Sequence, residues 1–575
     1  MLSKYAAAAI LLSAATNASP LLSNDDSLVA RQKAGSYLPI VGATGGNHPR
    51  LEIRELEKTG EMWNLFLLAW AEFQAIDQKV IDSYYQIAGI HGMPWTPWDG
   101  VEAYTTPRPQ TGYCPHNMLL FGTWHRPYLM LFEQKLQSVA KGIADKFPSA
   151  TKAKYQDAAT KLRVPYWDSF KAVPTNTPVY PTAISNDKVK VTFPNGTAAT
   201  IDNPLYNYKF HPLDNKQING TGCVGEDDRG AAVCQNSQTT IRPATSELNT
   251  VFRNILESQR SSLYTLLSTD QHINSIISTR ACGSPRYGSI EGIHGAVHTL
   301  HYPGHMAPAG ATAFDPLFWL HHSNVDRQIA IWQAIWPETW LSECFAETTT
   351  FTIPFGSVNS TTPLTPFHKD AAGTFWNSDH SRYIKNLGYT YPELANNPSH
   401  SSLISTVKKL YAGSATSSVS TNFRLTSAEE SPRKYFVQVK LPAYGFHDDK
   451  DGSLAYNVLL FAGDVGNDAK KWATSESLVG LASTLGGTAM RQDLTITSLI
   501  DVTSRVKSGL KAEEVVKSLK DKLSYRLEIG GKGIEKEIVK NLEVELVSSE
   551  VRLATSEDTF DTLVGDFTEH GSIDG

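Results

Sequence analysis

A mainly α domain with long loops, followed by a smaller, mainly β C-terminal domain, is the fold class this sequence predicts, on three observations. Apolar residues recur at three- and four-residue spacing over about 60–90, 246–268 and 316–334, the period of helices with one buried face. Beyond residue 433 the apolar period changes to two, as in half-buried strands. A Ser-, Thr- and Gly-rich stretch at 412–432 separates the two textures and has the composition of a linker.

Taken in order, Lys4 precedes a mostly apolar run from Ala6 to Ala15, and Thr16 and Ala18 place small residues where a signal peptidase reads. A signal peptide over 1–18 is expected, then a short propeptide over 19–31 ending at Arg31. The first helical face comprises Met62, Leu65, Phe66, Ala69 and Phe73, continued in steps of four by Ile76, Val80 and Tyr84. Residues 171–245, rich in Pro, Asn, Gly and Thr, read as long surface loops stapled most simply by a Cys223–Cys234 disulfide, which leaves Cys282–Cys344 as a second bridge. Strands are expected at Tyr435–Leu441, Tyr456–Phe461, Leu494–Val502 and Leu542–Val547, with one charged helix near Lys511–Leu523. The two units are thus bounded at 32–411 and 433–575.

The 575 residues are too many for one ordinary core, which fits two domains. A net charge of −6 lacks the basic footprint of phosphate binding, so nucleic acid is not an expected partner. No segment after the N-terminus has the ~20 uncharged apolar residues of a membrane anchor. Sequons at Asn195, Asn219 and Asn359 agree with secretion and with glycosylation at those positions. Five cysteines in an oxidising compartment leave one, Cys114, to be explained.

The main chemical signal is the histidines. Nine of 17 fall in three short regions: His91; His116 and His125; and His294, His298, His321 and His322, with His301 and His305 close by. The four-residue step from His294 to His298 stacks two imidazoles on one helical face, where both reach a single metal. The zinc-protease pattern would put Glu directly after the first His, but Gly295 stands there, so that reading loses its general base. Ligation by imidazole alone suits copper, zinc or iron.

HGMPW at His91, CPHxxxxxxxxHRPYLxLFE from Cys114, PYWD at Pro165–Asp168 and DPLFWLHHSNVDRQ at Asp315–Gln328 resemble the copper signatures of fungal tyrosinases and polyphenol oxidases, over about residues 50–410. The resemblance implies a four-helix bundle holding two copper ions, much as carboxylate bundles hold di-iron sites. It assigns His91, His116 and His125 to one copper and His294, His298 and one of the His321/His322 pair to the other. His322 is preferred, because Asp326 lies four residues on and could accept its spare imidazole N–H, so that His321 points elsewhere. The same resemblance implies a thioether from Cys114 to His116, and an aromatic residue, Phe318, packed against the ligands.

The implied reaction oxidises o-diphenols to o-quinones with O2 as co-substrate, with ortho-hydroxylation of monophenols as an additional activity. Glu291, three residues before His294, stands where relatives hold an ordered water that accepts the phenol proton. Gly295 occupies the position where strong monophenol hydroxylases carry Asn, and Thr299 adds no charge, so diphenol oxidation is expected to be favoured. The C-terminal domain resembles the shielding domain of long forms, which a processing protease removes. Tyr444 or Phe446 would then occupy the substrate position. An oxygen carrier of the hemocyanin kind would use the same six histidines and is the alternative.

Overall fold

The computed structural model describes residues 36–109, 111–218, 237–412, 431–443, 445–448, 452–485, 494–507 and 509–575. The signal peptide and propeptide, Asn219, Cys223, Cys234, residues 413–430 of the linker and Tyr444 lie outside them, and Phe446 is described only by its backbone.

The helices of the N-terminal unit that position the histidines or pack on those that do include α1 (Glu61–Gln74), α2 (Phe121–Ala144), α3 (Thr245–Ser268), α4 (Ile290–Thr299) and α5 (Pro316–Ile335). α2 packs on α1 and α5, and α4 on α5 and α3. α5 is buried on every side from Pro316 to Trp332, and α2 from Phe121 to Glu133. A helix buried all round lies at the centre of its unit, so the segments carrying His125 and His322 are the innermost ones. The start of α5 is fixed by its sequence: Pro316 opens the helix, and Asp315 caps it by accepting the Leu317 N–H at 2.8 Å. Arg242 holds that carboxylate through Nη2 at 2.6 Å.

Two expectations for this unit change. The four-residue steps beyond Phe73 do not continue as helix, since α1 ends at Gln74 and Asp77 turns the chain by accepting the Lys79 N–H. Tyr84 opens a separate short helix, Tyr84–Gly89, capped by Ser83. The stretch 171–245 is not all loop, because Lys188–Thr192 pairs with Ala198–Asp202 in a hairpin whose tip carries exposed Asn195 and Gly196 at φ +83°. Cys282 and Cys344 are disulfide-bonded, with Cα atoms 5.1 Å apart.

In the C-terminal unit, besides a small hairpin of Phe446–Asp448 with Gly452–Leu454, the strands are β1 (Arg433–Pro442), β2 (Tyr456–Ala462), β3 (Leu478–Thr484), β4 (Thr495–Asp501), β5 (Leu523–Ile529), β6 (Lys532–Ile534), β7 (Glu543–Arg552) and β8 (Thr562–Ser572), with one α-helix among the described residues, α6 (Ala512–Lys520). They form two four-stranded antiparallel sheets, ordered β3-β2-β5-β6 and β4-β1-β7-β8. Alternate residues Val458 and Leu460 of β2 meet Val437, Val439 and Leu441 of β1 in the core between the sheets. The intervening Leu459 and Phe461, with Leu478 and Leu481 of β3, belong instead to the core of the helical unit. β2 is therefore buried on both faces, not half-buried, because its second face covers the helices. Ser262 Oγ on α3 donates to the Leu499 carbonyl at 2.9 Å, and Arg280 Nη1 to that of Thr495 at 3.1 Å, which seats β4 on the same face. Among the described residues no helix is long and apolar enough to cross a membrane.

Candidate metal centre

The fold gathers the histidines from three helices and two turns. His125 is on α2, His294 and His298 are one turn apart on α4, and His321 and His322 are on α5. His91 and His116 come from turns, so the bundle itself supplies only part of the set. All sit in the interior, His116 being the least covered.

Four of these rings have a fixed tautomer. The Nδ1 atoms of His91, His125, His294 and His298 lie 2.9, 2.8, 3.0 and 2.7 Å from the carbonyl oxygens of Ala309, Phe121, Glu291 and Met306. A carbonyl only accepts, so each Nδ1 carries the hydrogen and each Nε2 keeps its lone pair. The Nε2 atoms of His91 and His294 are buried without a partner, and those of His298 and His322 face each other at 3.4 Å. Burial holds all these imidazoles well below the usual histidine range, His125 to about 3 and His298 to about 4, so they are neutral. Neutral, oriented and unpartnered nitrogens are what a cation needs and what a protein core ordinarily avoids.

They form two groups: His91 with Cys114 and His125, and His294 with His298, His321 and His322, the candidate ligand atoms within each lying within 4.8 Å of one another. His322 joins the halves, its ring stacked 4.1 Å from His125 and edge-on 4.9 Å from His294. Phe318 wedges between them, 4.2 Å from the His322 ring and 4.9 Å from His91. His116 lies 5.2 Å from His91 and 6.1 Å from His294, centroid to centroid. Cys114 is a buried cysteine outside the disulfide, its Sγ 3.7 Å from His116 Nε2 and 3.5 Å from His125 Nε2.

Two expectations are corrected here. His321 does not point elsewhere: its ring stacks on His294 at 5.1 Å, nearly parallel, and neither nitrogen has a partner. α4 encloses the first turns of α5 closely enough that two adjacent residues both meet it. Asp326 does not support His322, whose Nδ1 is unpartnered. Its carboxylate accepts instead from Arg126 Nε (2.7 Å), Arg50 Nη1 (3.3 Å) and the hydroxyls of Tyr389 and Tyr391 (2.7 Å each). Burial alone would raise this carboxyl, but the two guanidinium groups hold it below its ordinary value. Asp326 therefore positions the ligands through the backbone, by tying α5 to the residue that follows His125.

Glu291 is buried in the first turn of α4. Its Oε1 accepts the Asn117 N–H (2.7 Å), and Oε2 accepts from Thr279 N (2.8 Å), Ser278 Oγ and Thr279 Oγ1 (3.0 Å each). Asn117 directly follows His116 at φ +52°, so this carboxylate clamps the His116 turn to the helix of His294 and His298. Asn117, Ser278 and Thr279 carry no signal in the sequence that would have singled them out. Burial pushes the carboxyl up to about 7 against the pull of its four donors. The sign follows: its contribution to folding is fully present below the ordinary 4.5 and is lost as pH rises through about 7. This one carboxyl should therefore take up to about 3 kcal/mol from the copper-free chain between pH 4.5 and 8, since each tenfold change in proton affinity is worth about 1.4 kcal/mol, while the buried neutral imidazoles slope the opposite way, so the Glu291 share is read as the difference from Glu291→Gln. Glu291→Gln removes that slope, and because both oxygens accept a backbone N–H, its amide NH2 must face one of them at a cost of about 1–3 kcal/mol. Urea unfolding of both chains across this range checks both.

Gly295 opens a gap toward the C-terminal unit: a Cβ there would stand 3.5 Å from Ser483 Oγ and 3.9 Å from Leu485 Cγ. Asn117 Nδ2 lies 3.5 Å from the carbonyl of Ala443, which also accepts from Thr484 Oγ1 at 2.9 Å. The C-terminal unit thus meets both halves of the histidine site.

Residues 81–335 match the family described as the common central domain of tyrosinase, and residues 435–546 the tyrosinase C-terminal domain. The chain belongs to the tyrosinase family. It is 35% identical to tyrosinases of Neurospora crassa, over 62% of this chain and 54% of that one, and of Podospora anserina, over 62% and 64%. It is 33% identical to polyphenol oxidase 4 of Agaricus bisporus, over 62% of this chain and 58% of that protein. The chain thus spans less than two thirds of the length of these relatives. A mushroom tyrosinase crystallised in latent and active forms superposes with a TM-score of 0.78 at 25% identity, covering 94% of this chain and 99% of its own. Pro-tyrosinase of Aspergillus oryzae shares the fold, with a TM-score of 0.70 at 23% identity, covering 94% and 97%. The tyrosinase fold thus accounts for both units, the helical one with the histidines and the β-rich one packed on it.

Proposed function

We propose that this tyrosinase-family chain is a secreted copper-dependent oxidoreductase that oxidises o-diphenols to o-quinones with O2 and hydroxylates monophenols more slowly. The observation that carries the reading is the pair of buried imidazole groups, in which four rings commit Nδ1 to a carbonyl and turn Nε2 toward the other members, those of His91 and His294 without any partner. His91, His116 and His125 would hold one copper, and His294, His298 and His322 the other, with Cys114 cross-linked to His116. When bound, the copper pair supplies O2 binding and the two-electron chemistry.

The protein's own part is positional. Backbone carbonyls hold four rings in one tautomer, Phe318 keeps the space between the halves apolar, and the Glu291 clamp fixes the His116 turn against α4. A catechol needs little more. A monophenol must also lose its proton to a held water or base, and here Gly295 offers no side chain while Glu291 already accepts four hydrogen bonds. That supports diphenol oxidation as the faster activity. Glycosylation at Asn195 and Asn359 fits the exposure of the first on its hairpin tip and the partial exposure of the second.

The C-terminal unit would make the full chain latent until a protease removes it. Its seal is imperfect, because Ser483 Oγ is buried without a partner opposite Gly295. Ser483→Ala removes that unpaired hydroxyl and is expected to raise the urea concentration needed to activate the full chain. Gly295→Asn pushes an amide toward Ser483 and Leu485, so the full chain should open more readily, and the cleaved enzyme should gain monophenol relative to catechol turnover.

O2 uptake by copper-loaded protein before and after limited proteolysis, with a monophenol and its matching catechol, tests the reading. Catechol turnover that rises on cleavage and exceeds monophenol turnover agrees with it. Reversible O2 binding without turnover of either substrate would make the chain a carrier instead.

A further inference from the structure

Where α5 ends, its last turn and the segments around residues 382–398 line a half-open cavity of about 320 Å³, separate from the histidine groups. That volume is at the lower end of the range that takes small molecules. Its floor is apolar, with Ala334, Leu394 and Leu403, and its rim carries Arg382 and Lys385 with no carboxylate among the lining residues. The Arg382 guanidinium is held in place, 4.9 Å over the Trp340 ring and 5.1 Å from that of Tyr383, with one N–H donating to the Pro337 carbonyl at 3.1 Å. The Lys385 ammonium lies 5.8 Å from the Tyr383 ring. Neither the half-buried Arg382 nor the exposed Lys385 has an ion-pair partner among the described residues. Thr339 Oγ1, also in the lining, is buried and has no hydrogen-bond partner.

We infer that this cavity is a binding site for a small organic monoanion, a carboxylate on a compact apolar body. The carboxylate meets the preorganised N–H groups of Arg382 and the Lys385 ammonium, and the body displaces water from Ala334, Leu394 and Leu403. A guanidinium set against two rings and tied to a carbonyl loses less side-chain freedom on binding than a lysine without such a tie, so its planar fork suits an oxyanion. The volume holds on the order of ten water-sized groups at ~30 Å³ each, about the size of one substituted ring.

The test is calorimetric titration of the full copper-loaded chain with cyclohexanecarboxylate and, separately, with its neutral counterpart cyclohexylmethanol. The acid should bind at least about tenfold more tightly than the alcohol, the worth of one hydrogen bond to a charged group. Arg382→Met should weaken the acid by a similar factor. That variant keeps the contact with Arg126, which is made through the Arg382 backbone carbonyl at 2.9 Å. Ala334→Leu fills the floor without touching either cation and should abolish binding of the acid. Lys385→Ala, at an exposed position, keeps the fold safe and should weaken the acid severalfold. Copper-free chain should bind equally well, which separates this site from the histidine centre. Equal affinity for acid and alcohol, no heat at millimolar acid, or binding unchanged in both Arg382→Met and Ala334→Leu would overturn the inference.

Discussion

Asp326→Ala is expected to destabilise the copper-free chain by about 3–5 kcal/mol, the cost of breaking a buried ion pair from one side. Its carboxylate lies between Arg126 and Arg50, all three fully buried, and Glu133 is the remaining carboxylate on Arg50, at 3.0 Å. Removing it leaves two guanidinium charges in the core with one counter-charge, and deprives the Tyr389 and Tyr391 hydroxyls of their acceptor. Adding Arg126→Met should recover a large part of the loss, because the uncompensated charge goes with it. Urea unfolding of the three chains measures this, and a loss under about 1 kcal/mol for Asp326→Ala would show that the cluster is not what ties α5 to α2. Copper binding should weaken in Asp326→Ala even where the chain remains folded, since supporting partners alone are worth about 10–100-fold in metal affinity.

His298→Ala is expected to abolish catechol turnover while leaving the fold intact. The ring makes its hydrogen bond through Nδ1 to the Met306 carbonyl, with the Thr312 hydroxyl 3.0 Å away, and offers Nε2 to the space shared with His322. Deleting it removes one ligand of the second group and should lower copper affinity there by more than the ~100-fold ascribed to an outer partner. Thr312→Val is the milder companion: it leaves the ligand but loosens its orientation, so copper affinity should fall by about tenfold or less. Copper titration and O2 uptake with catechol read both variants. Turnover retained in His298→Ala would remove this residue from the site.

Much of this is legible in the residues. The spacing of His294 and His298, the HisHis pair of α5 and the CxH run at Cys114 place the chemistry without coordinates, because helical period and chain proximity are local properties. The helices at 245–268 and 316–335 are readable for the same reason. What the sequence conceals is what depends on distant packing. β3, with its run LVGLAST, shows no alternation because both of its faces are buried, one of them against the helical unit. Asp326 looks like the partner of His322 because four residues make one helical turn. Two arginines from other parts of the chain claim it instead, and an arginine directly after His125 is the only local hint. The carbonyls of Ala309, Phe121 and Met306 that set the imidazole tautomers carry no residue identity at all, so nothing in the sequence marks them. Counting on one helix turns His321 away from the cluster, and only the close approach of α4 places it back.

The most direct test of the central claim is the number of copper ions retained per folded chain after loading and dialysis, for the parent and for His91→Ala and His298→Ala. Two for the parent and one for each variant would agree with two adjacent imidazole sites holding one ion each. One ion in the parent, or two retained in both variants, would contradict it.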